Sequence, residues 1–153
     1  MTRLLAVDPG VHASGWALLA GSGPPALVAC GLHRVDPSLF DEWPVSIDVL
    51  AIEVPQVYRA GRSRGDPSDL VDLAIAAGRA IEAVGAGEVR RLRPAEWKGQ
   101  TPKAICHRRA RALLGPDELG RLELCLAPVA RPLRHNVLDA VALGLWASGR
   151  RTR

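Results

Sequence analysis

Cysteine, lysine and aromatic residues are scarce in this chain of 153 residues, and long apolar runs are absent. Its three cysteines are an odd, widely spaced set, which argues against a disulfide framework and is typical of a reducing cytosol. No apolar run approaches the roughly 20 residues of a membrane span, and a carboxylate at position 8 comes too early for a secretory signal peptide. With 48% hydrophobic and 24% charged residues, we expect one globular, cytoplasmic domain that does not enter a membrane.

The basic residues are unevenly distributed along the chain. Residues 1–76 hold 5 basic and 9 acidic side chains, whereas residues 77–153 hold 15 basic and 7 acidic ones. Only Lys98 and Lys103 are lysines, and the remaining basic residues are arginines, whose guanidinium fork matches phosphate oxygens. Two interpretations stay open: a polyanionic partner such as nucleic acid, or the arginine preference of a GC-rich genome.

The order of the predicted elements indicates an α/β fold. Three strands, at Arg3–Asp8, Ala13–Leu19 and Ala26–His33, form an antiparallel meander because only short turns separate them. Val49–Val54 is apolar on both faces, which favours a central parallel strand. Glu88–Arg93 is the fifth strand, so the sequence predicts a mixed five-stranded sheet whose first three strands are antiparallel.

Helical patterns follow the fourth strand. Asp66 and Pro67 form a helix start, and apolar residues keep helical spacing as far as Val84. Further helices are predicted at about 101–114, 116–126 and 134–148, and a short one at about 40–43. The alternation places helices on both faces of the sheet. Residues 1–149 are predicted to form a single domain, followed by a basic tail over 150–153.

Three acidic residues lie in apolar surroundings. Asp8 ends the first strand, Glu53 lies near the end of the fourth, and Asp139 lies on the last helix, at the edge of its apolar face. Burying isolated carboxylates is costly unless they are paired or bind a metal. If the two strands are adjacent and parallel, their carboxyl ends meet at one edge, and carboxylate oxygens there suit Mg²⁺.

Each acid also has a purely structural interpretation. Asp8 can cap the turn formed with Pro9 and Gly10, and Glu53 can pair with an arginine of the following loop. Asp139 can complement the dipole of its helix. The predicted site is absent only if all three structural interpretations are true at once. The three acids taken together therefore favour a metal-dependent phosphoryl-transfer centre.

Three segments, in this order, resemble the RuvC family of Holliday junction resolvases in the ribonuclease H-like superfamily. They are Leu4–Trp16 (LLAVDPGVHASGW), Ala51–Glu53 (AIE) and His135–Leu143 (HNVLDAVAL). Residues 94–114 resemble the phage-type branch of that family. The resemblance spans nearly the whole chain, and the three segments in series are more specific than any one of them.

The resemblance implies a ribonuclease H-like nuclease domain and a homodimeric endonuclease that depends on Mg²⁺, for which Mn²⁺ can substitute. Such an enzyme nicks a four-way DNA junction symmetrically and leaves 5′-phosphate ends. Asp8, Glu53 and Asp139 carry over as metal ligands. One ion would activate the attacking water, and the other would stabilise the leaving 3′-oxygen.

The chain departs from the family pattern three residues before Asp139. Members of the family usually have an acid or a histidine there, whereas this chain has Asn136, preceded by His135. An amide oxygen can ligate Mg²⁺ but cannot act as a base. The fourth ligand and the general base therefore stay open between Asn136 and His135.

Two basic segments are predicted to contact DNA. The first follows the fourth strand, where the only tyrosine would stack on a base and arginines would contact phosphates; its residues are Tyr58, Arg59, Arg62 and Arg64. The second comprises Lys98, Lys103, His107 and Arg111, of which the last three share one helix face. Each segment can alternatively be solvated surface.

Three other functions stay open. The chain could be a DNA-binding module of the same fold that does not cut. It could also be another ribonuclease H-like nuclease that acts on RNA–DNA hybrids or flaps. An Asp-x-Gly turn also cradles phosphate in actin–hexokinase-like ATPases, but those need two such domains, which 153 residues do not supply.

Overall fold

The first half of the chain supplies four of the five strands of the sheet. The computed structural model describes residues 1–34, 46–57 and 66–150. The strands are β1 (Thr2–Asp8), β2 (Ala13–Gly21), β3 (Ala26–Arg34), β4 (Val49–Glu53) and β5 (Glu88–Leu92). Their order is β3-β2-β1-β4-β5, with β1, β2 and β3 antiparallel and β4 parallel to both β1 and β5. The predicted mixed sheet is confirmed.

Five α-helices occur in the described residues: α1 (Pro67–Val84), α2 (Pro94–Trp97), α3 (Lys103–Leu113), α4 (Pro116–Leu126) and α5 (Arg134–Ala147). The predicted start of α1 is confirmed, because Asp66 Oδ1 accepts a hydrogen bond of 2.8 Å from the backbone N–H of Ser68. Gly85, with φ of 56°, ends the helix in the left-handed conformation that glycine adopts without strain. The sequence did not predict α2, and the helix predicted at 40–43 lies outside the described residues.

Alternation along the strands divides the core into two layers. Leu4 and Ala6 of β1 face one side of the sheet, where α3, α4 and α5 pack. Leu5 and Val7 face the other side, where Ala77 and Ala80 of α1 are buried. The predicted helices on both faces are therefore confirmed.

Helix α5 lies against the sheet with little room to spare. A side chain at Gly15 of β2 would come within 1.9 Å of the backbone oxygen of Asn136, and one at Gly144 would come within 2.6 Å of Leu19 Cδ1. Both glycines allow the helix backbone to approach the strands closely. The residues from Asp139 to Leu145 are all buried, so α5 is a core helix and its carboxylate at Asp139 lies inside the molecule.

A buried ion pair joins the end of the chain to α4. Arg150 donates to both carboxylate oxygens of Glu118, at 2.6 and 2.8 Å. Glu118 also accepts hydrogen bonds from the backbone N–H groups of Leu27 and Gly115, at 2.7 and 2.8 Å. Arg150, the first residue of the predicted tail at 150–153, thus has its guanidinium held by a buried carboxylate; residues 151–153 lie outside the described residues, and the tail stays a prediction.

Helix length and hydrophobicity also bear on the membrane prediction. Throughout residues 1–34, 46–57 and 66–150, no helix combines the length and the apolar character that crossing a bilayer requires.

Candidate active site

Asp8 and Glu53 lie side by side at the carboxyl edge of the sheet. Their strands are adjacent and parallel, and the last paired residues are Val7 and Ile52, directly before the two acids. Neighbouring strands are about 4.8 Å apart. Both acids also share the side-chain parity of residues that face α5, Ala6 on β1 and Ala51 on β4. The register thus directs both carboxylates toward the helix that carries Asp139.

Asp139 lies inside the molecule on α5, with 3% of its surface exposed. It is the sixth residue of the helix, beyond the first turn in which the helix dipole acts most strongly on a side chain. The alternative that it serves the dipole is therefore weakened. The buried position instead demands partners for its charge.

The three acids act on one another electrostatically. Burial first, and then the negative charges of Glu53 and Asp139, raise the pKa of Asp8 to about 7, against the opposing effect of Lys98 and Lys103. Like charges in a desolvated setting disfavour ionisation of one member. This mutual influence indicates that acids from two strands and a helix occupy one electrostatic site.

Helix α2 and the residue after it hold Glu53. The indole Nε1 of Trp97 donates to Glu53 Oε2 at 2.8 Å, and Lys98 Nζ donates to the same oxygen at 2.9 Å. Lys98 also lies over the Trp97 ring, 4.9 Å from its centroid. Burial tends to lower the pKa of Lys98, but Glu53, with Asp139 and Asp8, outweighs that effect and raises the pKa. Lys98 therefore keeps its positive charge inside the site.

Helix α3 supplies the partners of Asp139. Lys103 Nζ lies 2.7 Å from Asp139 Oδ2, and His107 Nε2 lies 2.8 Å from Oδ1. Burial tends to raise the pKa of Asp139, but the hydrogen bonds from His107 and Lys103 outweigh it and lower that pKa. Asp139 is therefore kept ionised, in contrast to Asp8.

The donor set fits a divalent cation by its chemistry. Three carboxylates offer the hard oxygen ligands that Mg²⁺ prefers, and their mutual repulsion is the condition that such an ion relieves. As the side chains stand, however, no three His, Cys, Asp or Glu residues among those described form a ready-made metal-binding group. The ammonium groups of Lys98 and Lys103 supply positive charge to two of the acids instead.

The remaining predicted ligands and basic residues have different surroundings. His135 is exposed and Asn136 is half-buried, with its backbone close to Gly15. Arg111 pairs with Glu123 of α4, whereas Lys98, Lys103 and His107, predicted to contact DNA, lie against the acids. Their DNA contacts stay predictions, as do those of Tyr58, Arg59, Arg62 and Arg64, which lie outside the described residues.

The sequence did not identify His107 as a partner of Asp139, nor Trp97 and Lys98 as partners of Glu53. A helical spacing of four placed Lys103 and His107 on one face. That spacing says nothing about the element that this face meets, because α3 and α5 are joined only by tertiary packing. The Trp97–Glu53 contact spans 44 residues and leaves no local signal.

Comparisons with known sequences find no relative, whereas comparisons with solved structures find the same fold. No protein family and no curated protein sequence matches the chain. Among solved structures, Thermus thermophilus RuvC in complex with a Holliday junction substrate is 18% identical at a TM-score of 0.65, over 97% of this chain and 94% of that one. The fowlpox virus resolvase, solved with Holliday junction DNA, is 15% identical at 0.57, over 97% of both chains. The yeast mitochondrial Holliday junction resolvase Ydc2 is 10% identical at 0.55, over 97% and 78%.

The chain has the ribonuclease H-like fold, a mixed five-stranded sheet with helices on both of its faces. Within it, the chain has the fold of the RuvC-like Holliday junction resolvases. The similarity covers nearly the entire chain, so it concerns the complete sheet and the helices on both of its faces. It confirms the fold that the three sequence segments imply.

Proposed function

We propose that this protein is a metal-dependent endonuclease that resolves four-way DNA junctions by symmetric nicking and leaves 5′-phosphate ends. The observation that carries the proposal is geometric: Asp8 and Glu53 end adjacent parallel strands on the sheet face that packs against the helix of Asp139. The charges of Glu53 and Asp139 accordingly raise the pKa of Asp8. The support from similarity is that proteins of the same fold have been solved with Holliday junction DNA.

Asp8, Glu53 and Asp139 would hold the cation, with Asn136 as a further oxygen ligand. Mg²⁺ is the preferred ion for such ligands, and Mn²⁺ can replace it. When bound, the metal activates water for attack on the phosphodiester and stabilises the leaving oxygen. Trp97 orients Glu53, and His107 and Lys103 orient Asp139, so these three are positioning residues. His135, which is exposed, stays a candidate for contact with the attacking water.

The basic residues that pair with the acids would also contact the DNA. Lys98 and Lys103 stand beside the carboxylates, at the place where a scissile phosphate must approach the metal. Ammonium groups there can contact phosphate oxygens once a metal neutralises the acids. Tyr58, Arg59, Arg62 and Arg64 would contact the branch of the junction through stacking and phosphate contacts.

Symmetric nicking requires two active sites, which we assign to a homodimer formed through α1. This helix exposes Val71 and Ile75, at 59% and 48% of their surface, next to Val57, at 83%. A groove beside them is lined by Pro55 and Leu70. A contiguous apolar surface of this kind is typical of a protein interface. Sedimentation should show a dimer that Val71→Glu disrupts, whereas Val28→Glu, an exposed apolar site on β3, should leave it intact.

A cleavage assay with matched carboxylate variants tests the nuclease. Labelled four-way junctions and linear duplexes of the same sequence are incubated with the protein, with and without Mg²⁺. We expect paired nicks in the junction only, dependent on the metal and lost in Glu53→Gln. Glu88→Gln is the control, because Glu88 is an exposed carboxylate at the opposite end of the neighbouring strand. Equal loss of cleavage in both variants would contradict the proposal.

The second candidate is a DNA-binding module that does not cut. It is favoured by one specific observation: two of the three acids are already paired with lysines. Tight junction binding without cleavage in Mg²⁺ or Mn²⁺ would favour it. Preferential cleavage of RNA–DNA hybrids or flaps in the same assay would instead assign the site to another nuclease of this superfamily.

A further inference from the structure

A pocket of about 190 Å³ opens between α2, α3 and α5, beside the candidate active site. Its volume is below the roughly 300–1,000 Å³ typical of sites for drug-sized ligands, so it suits a single ring system. Two of the four tryptophans of the chain, Trp97 and Trp146, line it. Aromatic rings that line a small pocket can stack with a flat ring.

The pocket is lined by buried apolar residues and by cationic residues. Ala110, Leu145 and Ala142 are buried, whereas Arg109 is exposed and makes no ion pair in the part of the chain that the structure describes. Lys98 also lines the pocket. A ligand that is flat and apolar on its faces and carries an anionic group at one end matches this combination. A nucleobase attached to its phosphate has this chemistry.

The pocket and the acids share two residues. Trp97 and Lys98 line the pocket and both donate to Glu53. A base stacked on Trp97 therefore lies next to a side chain that is hydrogen-bonded to the carboxylate of Glu53. A nucleotide bound in this way would have its phosphodiester within reach of the acids.

We propose that this pocket binds one unpaired nucleobase of the branched DNA, next to the phosphate that is cut, with Arg109 contacting the adjoining phosphate. The inference rests on the proposed nuclease function and adds a base-binding subsite to it. Removing a base from a stack is least costly where pairing is already interrupted, as at the point where the strands of a branched DNA separate. The subsite therefore favours cleavage close to that point.

The first test follows one base at a time in uncut DNA. Four-way junctions, each with 2-aminopurine at one position near the branch point, are bound to the protein in the presence of a metal chelator. We expect quenching at one position, because stacking on tryptophan quenches this base. Trp146→Ala should abolish that quenching, and Trp146→Phe should restore it. If no position distinguishes wild type from Trp146→Ala, the proposal is overturned.

A matched pair of arginines provides the control for charge. Arg108 and Arg109 are exposed neighbours on α3, and only Arg109 lines the pocket. We expect Arg109→Glu to raise the protein concentration needed for half-maximal quenching of the identified base about tenfold. Arg108→Glu should raise that concentration only by the smaller amount that the change in net charge causes. Equal effects of the two variants would overturn the assignment of Arg109.

A second measurement separates this proposal from the nuclease itself. Deoxythymidine 5′-monophosphate is titrated into the metal-free protein while the tryptophan indole N–H signals are followed by NMR. We expect the signals of Trp97 and Trp146 to shift and that of Trp16 to stay, with no such shift for inorganic phosphate alone. A protein that shows these shifts but cuts no junction would retain the base site and lose the proposed function. Absence of shifts at Trp97 and Trp146 would overturn the base site even if junctions are cut.

Discussion

Two carboxylates of this protein, Glu118 and Asp8, have pKa values shifted in opposite directions, although burial raises the pKa of both. The hydrogen bonds from Arg150 lower the pKa of Glu118 to about 2, with help from the backbone N–H groups of Gly115 and Leu27. Burial raises the pKa of Asp8 to about 7, with added repulsion from Glu53 and Asp139. Glu118 has a donor for each oxygen, whereas Asp8 has other acids for neighbours. The difference distinguishes a carboxylate that stabilises the fold from one whose negative charge has no stabilising partner until a cation binds.

The largest expected effect concerns the function of Asp8. Asp8→Asn should lower the rate of junction cleavage roughly 10³-fold, because a lost metal ligand removes about 4 kcal/mol of transition-state stabilisation. The same variant should be more stable than wild type in chelator at pH 8, since it removes a repulsive charge. Single-turnover cleavage and urea unfolding measure the two effects, with the exposed Asp117→Asn as control. A variant that loses both activity and stability would place Asp8 with Glu118 as a structural acid.

Glu118 should show the reverse pattern. Glu118→Gln leaves the Arg150 guanidinium without its anionic partner, which costs about 3 kcal/mol of unfolding free energy for a buried pair. Cleavage per folded molecule should be unchanged, because the ion pair joins α4 to the end of the chain and not to the acids. Urea unfolding checks the first expectation, with Glu88→Gln expected within about 0.5 kcal/mol of wild type. Unchanged stability would mean that Glu118 contributes little to the fold.

Local sequence signals predicted the elements but not the partners of these acids. Apolar alternation and the Asp66–Pro67 helix start define β1, β4 and α1 almost to the residue. The three acids could be found because a charge in an apolar segment is a local anomaly. Glu118 was not singled out, since an acid in the first turn of a helix is ordinary, and only packing against β3 and Arg150 makes it exceptional.

The partners of the site acids were missed for the same physical reason. Lys98 meets Glu53 across 45 residues and His107 meets Asp139 across 32. Such contacts follow from how α2 and α3 pack on the sheet, which spacing along one helix cannot specify. Helix α2 is only one turn long, too short to produce a periodic pattern.

The two acids should also give opposite pH dependences of stability in chelator. The folded pKa of Asp8 is raised, so the folded protein binds this proton more tightly than the unfolded chain does. Asp8 therefore favours folding at low pH, and that contribution is lost as the pH rises from about 4 to about 7. Glu118 has a lowered folded pKa, so its contribution is full above pH 4.5 and is lost as the pH falls toward 2.

Unfolding curves of wild type, Asp8→Asn and Glu118→Gln across this pH range measure both contributions. The difference between wild type and Asp8→Asn should change mainly between pH 4 and 7, and that between wild type and Glu118→Gln mainly between pH 2 and 4.5. Parallel curves for wild type and Asp8→Asn would show that Asp8 titrates alike in the folded and unfolded chain, which removes its distinction from Glu118.

The smallest expected effect concerns the cation beside Asp139. The ammonium of Lys103 is half exposed, so solvent screens its attraction to the acid, and such pairs contribute up to about 1 kcal/mol. Lys103→Met should therefore tighten Mg²⁺ binding about two- to fivefold, because the metal no longer displaces a competing charge. Calorimetric titration measures this, and Arg108→Met, an exposed cation on the same helix, should leave the affinity unchanged. Weaker Mg²⁺ binding in Lys103→Met would mean that the lysine holds Asp139 in position for the metal, so that Asp139, like Glu118, depends on a fixed cation.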